Sequence, residues 1–144
     1  MAFTVLEPEV AGGLGPKTVL DPSVHPPLIK RLHYEFEGWL GDDLVESFPC
    51  FVVSERLARE LQQSSLAGFV LDDVKVTTSP EFDELHPELR LPKFRWLRIT
   101  GIAGRDDFGL GKDHRLVASE AAMGVLSRFK IEHADRSTYS EGAV

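Results

Sequence analysis

Cys50-Phe-Val-Val-Ser-Glu-Arg-Leu-Ala-Arg-Glu-Leu61 aligns with Arg115-Leu-Val-Ala-Ser-Glu-Ala-Ala-Met-Gly-Val-Leu126 at an offset of 65 residues. Val52, Ser54, Glu55 and Leu61 meet identical residues at Val117, Ser119, Glu120 and Leu126. In each copy a short apolar run of the kind that forms a buried strand stops at a serine followed by a glutamate. The serine hydroxyl can accept a backbone N–H at a helix start, and the glutamate favours the positive end of the helix dipole. Each stretch therefore predicts a strand that turns directly into a helix, over about 55–64 in the first copy and 120–128 in the second.

The repetition extends in both directions. Asp42-Asp43 recurs as Asp106-Asp107 at an offset of 64, and Phe69-Val-Leu-Asp72 recurs as Phe129-Lys-Ile-Glu132 at an offset of 60. Order is kept throughout, which is the mark of repeated architecture. The fold class predicted is α/β of the α+β kind, with two duplicated strand-strand-helix-strand units, 32–73 and 94–135, around a mixed or antiparallel sheet. A chain of 144 residues with 42% hydrophobic and 27% charged residues suits a single domain, 1–144, with its own core.

Alternation fills in the remaining strands. Leu32, Tyr34 and Phe36 share one face of 32–37, whereas His33, Glu35 and Glu37 share the other. In 93–100, Phe94 and Trp96 oppose Leu97 and Ile99, so both faces meet apolar surface and a central strand is expected. A bend is expected at Asp72-Asp73, and Ser79-Pro80 should open a short helix. The Gly- and Pro-rich segment 1–31 reads as irregular apart from a strand near 17–20, and 140–144 reads as a frayed tail. The second helix carries the wider apolar arc (Ala121, Ala122, Met123, Val125, Leu126) and is expected to be the more buried of the two.

Charge is distributed unevenly. The formal net charge is −7, and residues 32–73 carry all of it, with nine acids against only Arg56 and Arg59. Such a chain repels phosphate backbones, so nucleic acid is a poor partner. A basic protein is a better one, and Asp42, Asp43, Glu46, Asp72 and Asp73 are the candidate partner-binding residues. No apolar stretch approaches the length of a membrane span and no basic leader precedes one, which predicts a cytoplasmic protein without membrane contact. The single cysteine, Cys50, lies in an apolar run and excludes an intrachain disulfide or Cys-rich metal site.

Catalytic signals are sparse, and neither a metal nor another cofactor is predicted. No histidine pair has the helical spacing of a zinc motif, and neither Ser54 nor Ser119 stands in a nucleophile elbow. Asp106, Asp107, Asp113 and His114 cluster beside a glycine-rich loop and form an alternative active site, suited to a small hydrolase, an isomerase or a metal-dependent enzyme. Turn chemistry explains the aspartate pairs more simply. A third reading is an accessory module of a biosynthetic cluster that binds a peptide along a sheet edge.

Phe48-Pro-Cys-Phe-Val-Val-Ser-Glu55, Leu116-Val-Ala-Ser-Glu120 with its helix, and Phe129-Lys-Ile-Glu-His-Ala-Asp135 together resemble small bacterial immunity-type proteins of polymorphic toxin systems, over about residues 32–135. The resemblance implies a non-enzymatic protein that binds a cognate toxin inside the producing cell and blocks its active site. Its partner would then be a toxin domain, basic if the acidic segment is the contact.

Overall fold

The computed structural model describes residues 2–140. Its elements run β1 (Phe3–Glu7), β2 (Gly12–Leu14), β3 (Val19–Asp21), β4 (Leu28–Phe36), β5 (Leu44–Ser47), β6 (Cys50–Ser54), α1 (Glu55–Gln63), β7 (Phe69–Asp72) and β8 (Val74–Thr78). There follow α2 (Pro80–Leu85), β9 (Phe94–Ile99), β10 (Phe108–Leu110), a 3-10 turn at Lys112–His114, β11 (Leu116–Ser119), α3 (Glu120–Leu126) and β12 (Asp135–Thr138). The fold is α+β. Of the expected frayed tail, only Ser140 falls within the described residues.

Two of the three sheets repeat one device. The β5–β6 hairpin runs into α1, and β7 returns parallel to β6 with β9 inserted between them, antiparallel to both. The β10–β11 hairpin, α3 and β12 do the same around β1. Each is a split β-α-β unit. Ser54 and Ser119 cap their helices as predicted, accepting the backbone N–H of Leu57 at 3.4 Å and of Ala122 at 3.0 Å.

The inserted strands are exchanged between the repeats. β9 leads into the β10–β11 hairpin along the chain, yet it pairs inside the sheet of β5, β6 and β7. The strand that occupies the matching place in the other sheet is β1, with Phe3 opposite Ser119 as Phe94 is opposite Ser54. The repeat boundaries drawn from sequence therefore need correction, because the counterpart of β9 is Phe3–Glu7 rather than Leu32–Glu37. Segment 1–31 is likewise not irregular: it supplies β1, β2, β3 and the start of β4.

β4 belongs to the third sheet, with β2 and β3 along one edge and β8 parallel along the other. The chain changes sheets at Asp72-Asp73, where Asp73 N–H donates to the Asp72 carboxylate at 2.7 Å. Helix α2 starts at Pro80 with Ser79 accepting from Phe82 N–H at 3.1 Å, as the sequence predicts.

The sheet of β6 and β9 is the middle layer, and two cores lie against its two faces. Phe51, Val53 and Leu97 join Leu6, Leu57, Leu61, Phe108, Leu116 and Leu126 in one. Cys50, Val52, Phe94 and Trp96 join Leu32, Tyr34, Phe36 and Phe82 in the other. The opposed apolar faces of β9 have the consequence anticipated for them. His33 differs from expectation, being buried on the face read as polar, because Lys17 N–H donates to its Nδ1 at 3.1 Å and Thr77 Oγ1 lies 2.7 Å from its Nε2.

Helix α3 is not the more buried helix. It buries Ala122 and Leu126, whereas Ala121 is exposed and Met123 and Val125 are only half-buried; α1 buries Leu57, Ala58 and Leu61. An apolar arc wider than the core it faces leaves its flanks outside. Leu57→Ala and Leu126→Ala, both at fully buried sites, should each lose about 2–5 kcal/mol and give similar denaturant midpoints. A markedly larger loss for either one would contradict this placement.

Candidate functional site

The two aspartate pairs define the joint between the repeats. Asp43 Oδ1 accepts Ser54 Oγ–H at 2.5 Å and Arg56 Nε at 2.7 Å, while its Oδ2 accepts the second Arg56 nitrogen at 2.6 Å and Lys130 N–H at 2.8 Å. Asp107 Oδ1 accepts Ser119 Oγ–H at 2.6 Å and its Oδ2 accepts Ala67 N–H at 2.8 Å. Each carboxylate thus holds the helix-capping serine of its own repeat and a backbone N–H that follows the helix of the other. Burial opposes ionisation of Asp43, but hydrogen bonds from Arg56, Ser54 and Lys130 N–H outweigh it and hold its pKa below the usual carboxylate value.

These contacts revise the acidic face. Asp42 and Asp43 are buried, so neither is available to a partner. Asp43 also lines a groove with Glu55, Arg56, Arg59, Arg90 and Lys93, where basic side chains outnumber acidic ones. Asp72 forms an ion pair with Arg98 at 2.9 Å, and Glu46 is half-buried on β5; of the five candidates Asp73 alone is exposed. Acids adjacent in sequence read as a surface, whereas a carboxylate surrounded by donors can be buried.

The alternative active site does not assemble either. Asp106 accepts Ile102 N–H at 2.7 Å, and Asp107 is engaged as described. Asp113 and His114 have φ of 57° and 59° in the 3-10 turn, with Asp113 exposed. Of the four, His114 alone lines the apolar groove described next.

That groove, about 310 Å³, runs between the 24–29 segment, the turn from β5 to β6, and the outer part of β9. Val24 and Leu28 stand on one wall and Pro49 and Cys50 on the other, while Trp96 and Arg98 lie along it. Phe48, beside Pro49, meets the His114 ring edge to face at 6.1 Å and is 49% exposed. Val24 and Leu28 are exposed to a similar degree. Arg98, also on the groove lining, stacks on Trp96 at 4.5 Å and is paired with Asp72 at 2.9 Å, so its charge there is matched. Burial pushes the Cys50 thiol up to about 12, which makes it a wall of the groove and not a nucleophile. Two consecutive non-glycine residues at positive φ aim His114 here, a strained arrangement of the kind that accumulates at binding sites.

A second constellation joins residues far apart in sequence. Asp42 Oδ2 accepts His133 N–H at 2.7 Å, and its Oδ1 lies 3.0 Å from His133 Nδ1 and accepts Glu132 N–H at 3.1 Å. The Glu9 carboxylate joins them, one ligand atom from each residue lying within 4.8 Å of the others. The structure pairs His133 with a residue 91 positions away. No local pattern signals such a contact.

Among the described residues no helix is long and apolar enough to cross a membrane. No protein-family model, curated protein or solved structure matches this chain.

Burial, followed by the charge of Glu7, raises the Glu46 pKa to about 7. Because this lies above the unfolded value of about 4.3, the stabilisation of the folded state by protonated Glu46 is fully present below that pH. It is lost as pH rises through about 7. Urea midpoints of the wild type should therefore fall relative to those of Glu46→Gln between about pH 5 and about pH 8. A difference independent of pH would contradict the placement of this carboxyl.

Proposed function

We propose that the chain is a non-enzymatic, cytoplasmic, immunity-type protein that binds a cognate bacterial toxin domain and blocks it. The apolar groove at Val24, Leu28 and Phe48 is its docking surface. One observation carries this reading: Val24 and Leu28, each about half exposed, line a groove along the middle sheet, and Phe48, exposed to the same degree, stands next to Pro49 and against His114 of its lining. Contiguous exposed apolar surface of this kind marks protein contacts, and a buried aromatic anchor usually dominates their affinity. Phe48 is that anchor.

The partner is a basic domain offering an apolar side chain to the groove. The formal charge of −7 steers it by long-range attraction, and the groove supplies the short-range affinity. Separate rates reflect the two contributions, with charge acting on association and the anchor on dissociation. The resemblance of the Ser-Glu repeats to immunity-type proteins supports the same class of partner.

The test uses the C-terminal domain of the toxin encoded beside this gene, produced as an inactive variant for titration and as an active one for co-expression. Wild type should bind it and protect growth. Phe48→Ala should weaken Kd by roughly 30-fold through faster dissociation, at unchanged thermal stability. The absence of an adjacent toxin gene, or an affinity indifferent to Phe48, would contradict the proposal.

A further inference from the structure

Glu9 presents an imbalance that the rest of the fold does not resolve. Its backbone joins β5 through a bridge to Val45, with Glu46 N–H donating to the Glu9 carbonyl at 2.9 Å. Carboxylate Oε2 accepts Leu40 N–H at 2.9 Å. The other oxygen, Oε1, is buried and has no hydrogen-bond partner, in a residue only 9% exposed. A buried acceptor without a donor is costly, more so when it is charged, and an orphan of this kind calls for a ligand.

The neighbours of this carboxylate are another carboxylate and an imidazole. Asp42 is fully buried, and His133 is 39% exposed at the mouth of the site. The Lys130 amine is directed at Glu132 at 4.0 Å and is itself 44% exposed. Two carboxylates thus converge with too little positive charge between them.

We propose that Glu9 Oε1, Asp42 Oδ1 and His133 Nδ1 form a divalent cation site that takes a borderline transition ion of the Zn²⁺ or Mn²⁺ type. Two donors about 2.1 Å from one ion and at right angles about it stand about 3.0 Å apart. The Asp42 Oδ1 to His133 Nδ1 separation is 3.0 Å. The mixed oxygen and imidazole donor set favours such ions over Mg²⁺ or Ca²⁺, which take oxygen alone. His133 N–H and Glu132 N–H already fix the Asp42 carboxylate, as outer hydrogen bonds do in metal sites. A bound ion would tie the segment between β1 and β2 to the segment before β12, adding a cross-link of the same sense as the Asp43 bond to Lys130.

Calorimetric titration of the full chain with Zn²⁺, Mn²⁺, Mg²⁺ and Ca²⁺ tests the site. One Zn²⁺ or Mn²⁺ should bind per chain and raise the thermal midpoint, with Mg²⁺ and Ca²⁺ much weaker. Glu9→Gln and His133→Ala should each weaken Zn²⁺ binding by at least about tenfold, whereas His86→Ala, at an exposed surface histidine, should leave it unchanged. Paramagnetic broadening by Mn²⁺ in wild type, centred on the amides of Leu40 and His133, gives a readout independent of the variants. The proposal is overturned if neither Zn²⁺ nor Mn²⁺ binds saturably, if Glu9→Gln and His133→Ala bind Zn²⁺ as tightly as the wild type does, or if broadening centres elsewhere. A Glu9 carboxyl that is simply protonated, with no ion bound, is the first of these results.

Discussion

Two carboxylates, Asp43 and Asp107, hold the repeats in place by crossing between them. Each accepts the hydroxyl of the serine that caps its own helix and the backbone N–H of a residue beyond the other helix, Lys130 or Ala67. The backbone repeats the arrangement, with Ser54 N–H and Ser119 N–H each donating at 2.8 Å to the carbonyl of its aspartate. Hydrogen bonds to an ionised acceptor are stronger than neutral ones, and breaking one partner away leaves the rest stranded in a poorly hydrated place. One side chain in each repeat therefore fixes hairpin, helix start and returning segment together.

That constraint explains the strand exchange. With each helix exit tied to the opposite repeat, the strand between the hairpin and the returning strand comes from outside the unit: β9 in one sheet and β1 in the other. The joint is tight enough that Gly68, at φ +102°, is required where the chain passes the Phe108 carbonyl. The copies also diverge. Arg56 adds a paired guanidinium to Asp43, and Ala121, its counterpart at the offset of 65, cannot do so for Asp107. The first repeat buries its carboxylate fully and carries the third sheet on its outer face; the second leaves Asp107 partly accessible.

Local chemistry made part of this legible from sequence. A serine cap after an apolar strand acts within three residues, so both helix starts could be read, as could the Pro80 start of α2. The opposed apolar faces of Phe94–Ile99 announced a middle strand because burial on both sides leaves no polar alternation. Pairing of Phe3–Glu7 was not legible: five residues of alternation beside a Gly- and Pro-rich stretch give no indication of a partner more than a hundred positions away. The candidate site suffered more. Acids clustered in sequence suggest an acidic surface, but Asp42 takes its donors from Glu132 and His133, and Asp43 takes Lys130 N–H beside those of Ser54 and Arg56; such long-range donors help decide whether a carboxylate is buried. The apolar groove was equally hidden, since Val24 and Leu28 meet Pro49 and Trp96 only in the folded chain. The same distance in sequence separates Glu9, Asp42 and His133.

Native-state hydrogen exchange at Lys130 and Ala67 tests the reciprocal bonds most directly. If the aspartates hold the repeats together, both amides should exchange only through global unfolding, with opening free energies equal to that measured by denaturant. Asp43→Asn should then lower the protection of both, although Ala67 lies in the other bond. Fast exchange of either amide by local opening, or protection of Ala67 that is unaffected by Asp43→Asn, would contradict a joint on which both repeats depend.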